Sequence, residues 1–178
     1  MCQWCGDGEA RTAAFEIVDR PPQSLVGIVW DGSFADAAAG GVRAALEAMQ
    51  ARLADLPGLF KGPLVGVSWN ERPDGFRYFV GYEPEPGAPA AGDLERLDLP
   101  AMRYVVAWHA EGDGAVVEHY RGMLHWMQMQ GVPRDVTRLH HREEYPLDAD
   151  FAGPPVLRLM MPTDPAATPR PAGRFGAA

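Results

Sequence analysis

One order of predicted elements, a strand, a helix and a hairpin, occurs twice along the chain. Residues 25–30 (LVGIVW) are a β-rich run, residues 36–56 carry apolar side chains at three- and four-residue spacing, and two strand-like runs follow around the Pro-Asp-Gly turn at residues 73–75. The same order returns between residues 99 and 162. Two copies of one supersecondary unit predict an α+β fold with two similar halves, a pseudo-twofold axis and a central cleft between them.

The two predicted helices carry matching apolar stripes. The stripe residues are Val42, Leu46, Met49, Leu53 and Leu56 in the first helix, and Val116, Tyr120, Leu124 and Met127 in the second, which ends at Gly131. Residues 42–50 and 120–128 share Arg, Leu, Met and Gln at one constant offset. With a further shift of two residues for the shorter second loop, Trp69 aligns with Tyr145. This agreement favours a duplicated strand-helix-hairpin unit.

Composition divides the chain into one domain and two tails. Residues 83–92 (EPEPGAPAAG) lack periodicity and are rich in proline and glycine, so we interpret them as the joint between halves 15–86 and 92–162. Residues 1–14 precede any periodic segment and form the predicted N-terminal tail. Residues 163–178 have the proline, alanine and glycine content of a disordered C-terminal tail.

Charge and hydropathy exclude several classes of function. The 178 residues have a formal net charge of -8, which repels phosphate backbones, and neither a basic stripe nor a helix-turn-helix pattern is present. No apolar run approaches the roughly 18 residues that a membrane span requires. The N-terminus lacks the basic start and apolar middle of a signal peptide. We therefore expect a cytoplasmic protein with no direct nucleic-acid binding and no membrane association.

The two cysteines, Cys2 and Cys5, form a C-x-x-C sequence before the first periodic segment. A redox motif of this kind should follow a strand and open a helix. A zinc site would need two further ligands from the five histidines, and no two of these have the spacing of a helical zinc site. They are His109, His119, His125, His140 and His141. The sequence therefore predicts no metal and no cofactor.

Residues 139–146 (LHHREEYP) place ionisable groups inside a strand-like run. On an extended chain successive side chains point to opposite faces. The side chains on one face are His141, Glu143 and Tyr145, and those on the other are Arg142 and Glu144. Two interpretations stay open: an edge strand with a charged rim, or a strand that carries a functional carboxylate. Alternation alone does not decide which glutamate faces inward.

Taken together, the quoted segments resemble the GyrI-like family, the small-molecule-binding fold that is also the effector-binding domain of AraC-type and MerR-type multidrug regulators. The resemblance rests on a proline-bounded first strand and on the segments GVSWN, FRYFVGYE, LPAMRYVVAWH, HWMQMQG, REEYP and VLRLMMP. It covers roughly residues 15–162. It implies an SHS2-like repeat and, because no DNA-binding pattern is present, a stand-alone member of the family.

The resemblance also implies a site. Family members are similar in having a buried glutamate among aromatic side chains, and the family's E-x-Y pattern is matched by Glu143 and Tyr145. A poorly solvated carboxylate favours a ligand that brings a cation or a hydrogen-bond donor, and aromatic rings attract cations through their faces. The candidate aromatic walls of this site are Trp69, Tyr78, Tyr82, Trp108 and Trp126.

Three functions are compatible with such a site. The first is binding of bulky, aromatic or cationic small molecules, for drug or toxin sensing, sequestration or resistance. The second, implied by the family, is hydrolysis of cyclopropane-bearing DNA-alkylating toxins, with Glu143 activating water and Tyr145 donating a proton. The third is inhibition of a larger enzyme such as gyrase. We expect a small hydrophobic or cationic ligand and either a monomer or a homodimer.

Overall fold

The computed structural model describes residues 15–55, 60–87 and 92–169, with the side chains of residues 60 and 61 left out. Eight strands and three helices are present in this part of the chain. The strands are β1 (Glu16–Arg20), β2 (Gln23–Ser33), β3 (Phe60–Arg72), β4 (Gly75–Pro84), β5 (Glu95–Leu99), β6 (Met102–His109), β7 (His141–Tyr145) and β8 (Leu157–Thr163). The helices are α1 (Phe34–Ala38), α2 (Gly41–Ala54) and α3 (Val116–Gln130).

All eight strands belong to one antiparallel sheet in the order β1-β6-β8-β7-β3-β4-β2-β5. Only Pro21 and Pro22 separate β1, at one edge, from β2, which lies next to the opposite edge. Only Pro100 and Ala101 separate β5, at the other edge, from β6. Connections this short span at most about 10 Å. The sheet therefore curves strongly and brings its two edges close together.

Two apolar clusters lie on the two faces of this curved sheet. On the helix face, α2 and α3 pack through Leu46, Met49, Met123 and Met127. The opposite face of the sheet, here called the inner face, carries a second cluster that contains no helix residue. That cluster is formed by Leu25, Val65, Val67, Phe79, Leu99, Tyr104, Val106, Leu139 and Met160. Alternation along each strand assigns its side chains to these faces, as for Phe79 on the inner face and Tyr78 on the helix face.

The first predicted helix, residues 36–56, is interrupted. Gly40 has a φ of 101°, a left-handed conformation that ends α1, and α2 begins at Gly41. Ser33 caps α1 by accepting a hydrogen bond from the backbone N–H of Asp36. Leu46, Met49 and Leu53 are buried, as the stripe predicted, whereas Leu56 lies outside the described residues.

The second predicted helix occurs as α3 and ends at Gly131, whose φ of 68° is again left-handed. One member of its predicted stripe is wrong. Leu124 is 38% exposed, while Met123 is fully buried. The inward face runs through positions 116, 120, 123 and 127, and Leu124 lies about 100° further round the helix axis.

Two further corrections concern the joint and the C-terminal tail. The chain leaves the predicted joint through β5, an additional strand that pairs with β2. The predicted C-terminal tail begins too early, because Thr163 belongs to β8 and donates a hydrogen bond to the carbonyl of Pro133, and Ala167 is buried. Residues 1–14, 88–91 and 170–178 lie outside the described part of the chain.

Candidate functional site

Three tyrosine hydroxyls converge on the carboxylate of Glu143. Tyr78 and Tyr145 donate to Oε2 at 2.6 and 2.7 Å, and Tyr120 donates to Oε1 at 2.9 Å. The Tyr78 and Tyr145 hydroxyls are themselves 3.3 Å apart. We call these four residues the tyrosine-carboxylate cluster. Its members come from β4, β7 and α3, and it lies on the helix face of the sheet.

The register of the central strands explains this convergence. Glu143 on β7 pairs with Gly66 on β3, and Tyr78 lies one strand further away on β4. A Cβ atom on Gly66 would be 1.9 Å from the Tyr78 hydroxyl oxygen. The tyrosine thus reaches across β3 to Glu143 because glycine leaves that space empty. Tyr145 follows two residues after Glu143 and therefore points to the same face.

The three hydroxyls remain neutral donors at ordinary pH. Burial, and then the negative charge of Glu143, raise the pKa values of Tyr78, Tyr120 and Tyr145 well above their usual value of 10.0. Within residues 15–55, 60–87 and 92–169, no lysine, arginine or histidine is hydrogen-bonded or ion-paired to Glu143. Among the described residues, the carboxylate is thus held by the dipoles of three tyrosine hydroxyls.

Glu144 has a different environment on the inner face. Its carboxylate is 2% exposed and lies 2.9 Å from Arg20, 3.0 Å from Arg142 and 3.3 Å from Arg158. Burial raises the pKa of this carboxyl, but Arg142 and then Arg20 and Arg158 outweigh burial and lower it below its usual value. The two glutamates therefore lie on opposite faces of the sheet. Glu144 belongs to a buried ion-pair network on the inner face, and Glu143 belongs to the tyrosine-carboxylate cluster on the helix face.

A cavity of about 690 Å³ opens beside the cluster. Tyr145 belongs to both, since it lines the cavity and its hydroxyl donates a hydrogen bond to Glu143. The other walls are Arg43 and Leu46 of α2, Glu111, and the loop of residues 146–156. This volume is within the range of about 300–1,000 Å³ that is usual for small-molecule sites.

The loop of residues 146–156, which lines the cavity, is held in place by contacts with two side chains. The Gln50 side chain, on α2, donates to the carbonyl oxygens of Leu147 and Ala149, both at 2.9 Å. The Phe151 ring meets the Tyr145 ring edge to face at 5.5 Å. The loop also contributes Asp148 and Asp150 to the lining. The cavity therefore combines two aromatic rings with an acidic wall.

The structure brings Tyr78 and Tyr145 to Glu143, but it places the other predicted aromatic walls elsewhere. Tyr82 is buried on the helix face, four residues along β4 from Tyr78, a distance of about 13 Å on an extended strand. Trp126 is half-buried against Phe15, with ring centroids 5.7 Å apart. Neither ring is among the residues that line the cavity.

The two remaining tryptophans face away from the cluster. Trp69 packs against the inner-face cluster, and its indole N–H donates to the carbonyl of Arg138 at 2.8 Å. Trp108 lies four residues after Tyr104 and two after Val106 on β6, and both of these belong to the inner-face cluster. Because every second side chain of a strand points to the same face, Trp108 also points to the inner face. The predicted alignment of Trp69 with Tyr145 is therefore wrong at the level of faces.

Sequence reasoning missed the role of Tyr120. The residue appeared only as a member of the helical stripe, and its polar hydroxyl on an inward-facing position was the available signal. Its ring lies 4.6 Å from the imidazole of His141. Burial, and then the charges of Arg134 and His140, lower the pKa of His141 to about 4, so that the imidazole beside Tyr120 is neutral at pH 7.

Comparison with known proteins gives one family and several related structures. The family described as GyrI-like small molecule binding domain matches residues 13–163. SAV2435 bound to tetraphenylphosphonium is 16% identical, with 85% of this chain and 94% of that chain covered and a TM-score of 0.65. The EcmrR C-terminal domain is 11% identical, with 86% and 99% covered and a TM-score of 0.64.

A putative transcription regulation protein from Staphylococcus aureus MU50 is 16% identical, with 84% and 97% covered and a TM-score of 0.61. At these identities the solved structures show a shared fold. A search of curated protein sequences gave no significant match. Across the described residues, every helix is too short or too polar to cross a membrane.

Proposed function

Because the chain belongs to the family of GyrI-like small molecule binding domains, we propose that it binds bulky aromatic cations in the cavity beside Tyr145, with the half-buried Glu143 as their counter-charge. The observation that carries this proposal is the set of partners of Glu143: three neutral hydroxyls and, among the described residues, no basic side chain. A half-buried carboxylate is incompletely solvated and gains from a cation that arrives with the ligand.

The cavity lining supports the same ligand class. Glu111, Asp148 and Asp150 supply three carboxylates, whereas Arg43 is the one basic residue among the lining residues. The Tyr145 and Phe151 rings offer aromatic surface to a delocalised cation, worth about 0.5 to 2 kcal/mol for each suitable contact. The related fold of SAV2435, a protein bound to the aromatic cation tetraphenylphosphonium, points to the same chemistry.

The strand order supports a duplicated origin of the fold. If β1, β6, β8 and β7 are matched with β5, β2, β4 and β3, the order is identical from either edge of the sheet. β1 and β5 are exchanged, since each pairs with the strand of the other half. We propose a pseudo-twofold axis between β7 and β3, next to Glu143. Superposing the unit β2-α2-β3-β4 on β6-α3-β7-β8 tests it, and helices that fail to coincide would reject it.

Titration with tetraphenylphosphonium, followed by tryptophan fluorescence and calorimetry, tests the ligand class. Glu143→Gln keeps the shape but removes the charge, so we expect affinity to fall about 10- to 150-fold, the equivalent of about 1.5 to 3 kcal/mol. Glu95→Gln is the matched control, because Glu95 is exposed on edge strand β5. Equal affinity of wild type and Glu143→Gln removes the carboxylate from the binding site.

One observation favours hydrolysis of strained electrophiles as a second function. The Tyr145 hydroxyl donates a hydrogen bond to Glu143 at 2.7 Å, and Tyr145 also lines the cavity, so one residue connects a carboxylate base with the ligand space. Incubation with a cyclopropane-bearing electrophile distinguishes the two functions. A water adduct formed over many turnovers, and slowed about 10²- to 10⁴-fold by Glu143→Gln, indicates a hydrolase. Stoichiometric binding with intact ligand indicates binding alone.

A further inference from the structure

A second group of chemically active side chains lies where β6 joins α3. His109 is the last residue of β6, Asp113 lies in the connecting loop, and His119 is in the first turn of α3. The Nδ1 atoms of His109 and His119 are 3.0 Å apart. One ligand atom from each of the three residues lies within 4.8 Å of the other two. The group belongs neither to the tyrosine-carboxylate cluster nor to the residues that line the cavity.

The loop between β6 and α3 turns sharply and places Asp113 near the two histidines. Gly112 and Gly114 flank the aspartate with φ values of 97° and 81°, which an L side chain rarely adopts. Asp113 Oδ2 accepts a hydrogen bond from the backbone N–H of Ala110 at 2.8 Å. The carboxylate is thus held next to His109, and its Oδ1 has no hydrogen-bond partner among the described residues.

The surroundings of the two imidazoles are enclosed. His109 is 1% exposed, and the Phe15 ring covers His119 at a centroid distance of 6.1 Å. His119 Nε2 is buried and has no hydrogen-bond partner among the described residues. A hydrogen bond between two Nδ1 atoms contains one proton, so one of the two Nδ1 atoms acts as the acceptor. An enclosed pair of nitrogen ligands beside a carboxylate is the donor set of a transition-metal site.

We propose that His109, Asp113 and His119 bind one divalent transition-metal ion of the zinc class, with a fourth position left to water or to an exogenous ligand. In a tetrahedral zinc site, bonds of about 2.0 Å place the ligand atoms about 3.3 Å apart. The two Nδ1 atoms already meet this spacing within a few tenths of an ångström. Asp113 is exposed on its loop, so a displacement of about 1.5 Å closes the remaining gap.

This site has no signature in linear spacing. The three ligands come from a strand end, a loop and a helix start, and His-x₃-Asp-x₅-His is not the pattern of two histidines on one helix face. The prediction of no metal considered histidine spacing along a helix, whereas the proposed geometry depends on the packing of α3 against β6.

The test uses the full chain carrying Cys2→Ser and Cys5→Ser, which removes thiols that would bind metal independently. After dialysis against a chelator, Co²⁺ is titrated while its visible absorption is recorded, and Zn²⁺ is then added in competition. We expect one Co²⁺ per chain, a spectrum typical of nitrogen and oxygen ligands, complete displacement by Zn²⁺, and a zinc-dependent rise in Tm.

Variants connect the signal to the three residues. Asp113→Asn and His119→Gln should each weaken Zn²⁺ binding about 10-fold or more. His125→Ala is the matched control, because His125 is exposed on the same helix. Asp113 is an exposed loop residue, so its variant keeps the test decisive if the histidine variant unfolds. Substoichiometric binding, or binding that both Asp113→Asn and His119→Gln leave unchanged, overturns the site; the cation-binding proposal concerns other residues and stands or falls separately.

Discussion

Gly66 lies directly opposite Glu143 in the antiparallel pairing of β3 and β7, and its missing side chain leaves the space that the Tyr78 hydroxyl occupies. The polar cluster therefore depends on an absent side chain as much as on the side chains present. A tyrosine two strands away from a carboxylate can bind it only where the intervening strand has no side chain in the way.

Replacing this glycine should disturb the cluster. In Gly66→Ala the new Cβ would overlap the Tyr78 hydroxyl, so the ring must shift and one bond to Glu143 is lost. We expect the free energy of unfolding to fall by about 1 to 3 kcal/mol in chemical denaturation. Gly92→Ala is the control, because a Cβ there meets no atom within 4 Å. If Gly66→Ala is as harmless as Gly92→Ala, the close approach of Tyr78 is not required.

The two adjacent glutamates should separate stability from ligand binding. Glu144→Gln leaves Arg20, Arg142 and Arg158 without their shared carboxylate, and breaking such a buried network costs about 3 to 5 kcal/mol. Glu143→Gln should cost less stability while weakening cation binding. Urea unfolding and ligand titration of both variants provide the comparison. A stable Glu144→Gln protein that no longer binds ligand would reverse the two roles.

His141 should make the fold sensitive to acid. Its folded pKa of about 4 lies below the ordinary value of 6.5, so the unfolded chain binds more protons between these values. His141 therefore leaves the free energy of unfolding unchanged above about pH 6.5. As the pH falls towards 4, it lowers that free energy by up to about 3 kcal/mol. Arg134 and His140 face the same imidazole. His141→Asn should weaken the pH dependence of the unfolding free energy measured between pH 7 and 4.5. If this pH dependence is unchanged, other groups cause the acid sensitivity.

Gln50 should control the loop over the cavity. Gln50→Ala removes both hydrogen bonds to the carbonyls of Leu147 and Ala149. We expect faster amide hydrogen exchange in residues 147–153 and a several-fold faster release of a bound aromatic cation, because the loop opens more often. Gln128→Ala, an exposed position on α3, is the control. Exchange rates that are equal in the two variants would show that other contacts hold the loop.

Much of the architecture was predictable from local patterns. The alternation of HREEY placed Glu143 and Tyr145 on one face and Glu144 on the other, and the structure confirms that separation. The resemblance to the GyrI-like family is confirmed over residues 13–163. Strand β5 was missed because its five residues, ERLDL, lie beside a proline- and glycine-rich segment and gain their stability by pairing with β2.

The alignment of the two predicted halves failed for a reason of geometry. Helical stripes tolerate a constant offset, but a strand has a period of two, so an error of one residue moves a side chain to the other face. Trp69 was thereby assigned to the face of Tyr145, although it packs on the inner face. Matching element order is weaker than matching faces, and only the sheet register supplies the second.

The sequence alone was enough to predict the class and order of most elements, without β5 and the break at Gly40, and to predict which neighbouring side chains share a face, because these depend on covalent geometry over a few residues. Tertiary structure decided which distant groups meet. Tyr120 reaches Glu143 from α3, Tyr78 reaches it across Gly66, and His119 approaches His109. Such contacts depend on strand register and helix packing over long separations, where a shift of one residue exchanges one face of the sheet for the other.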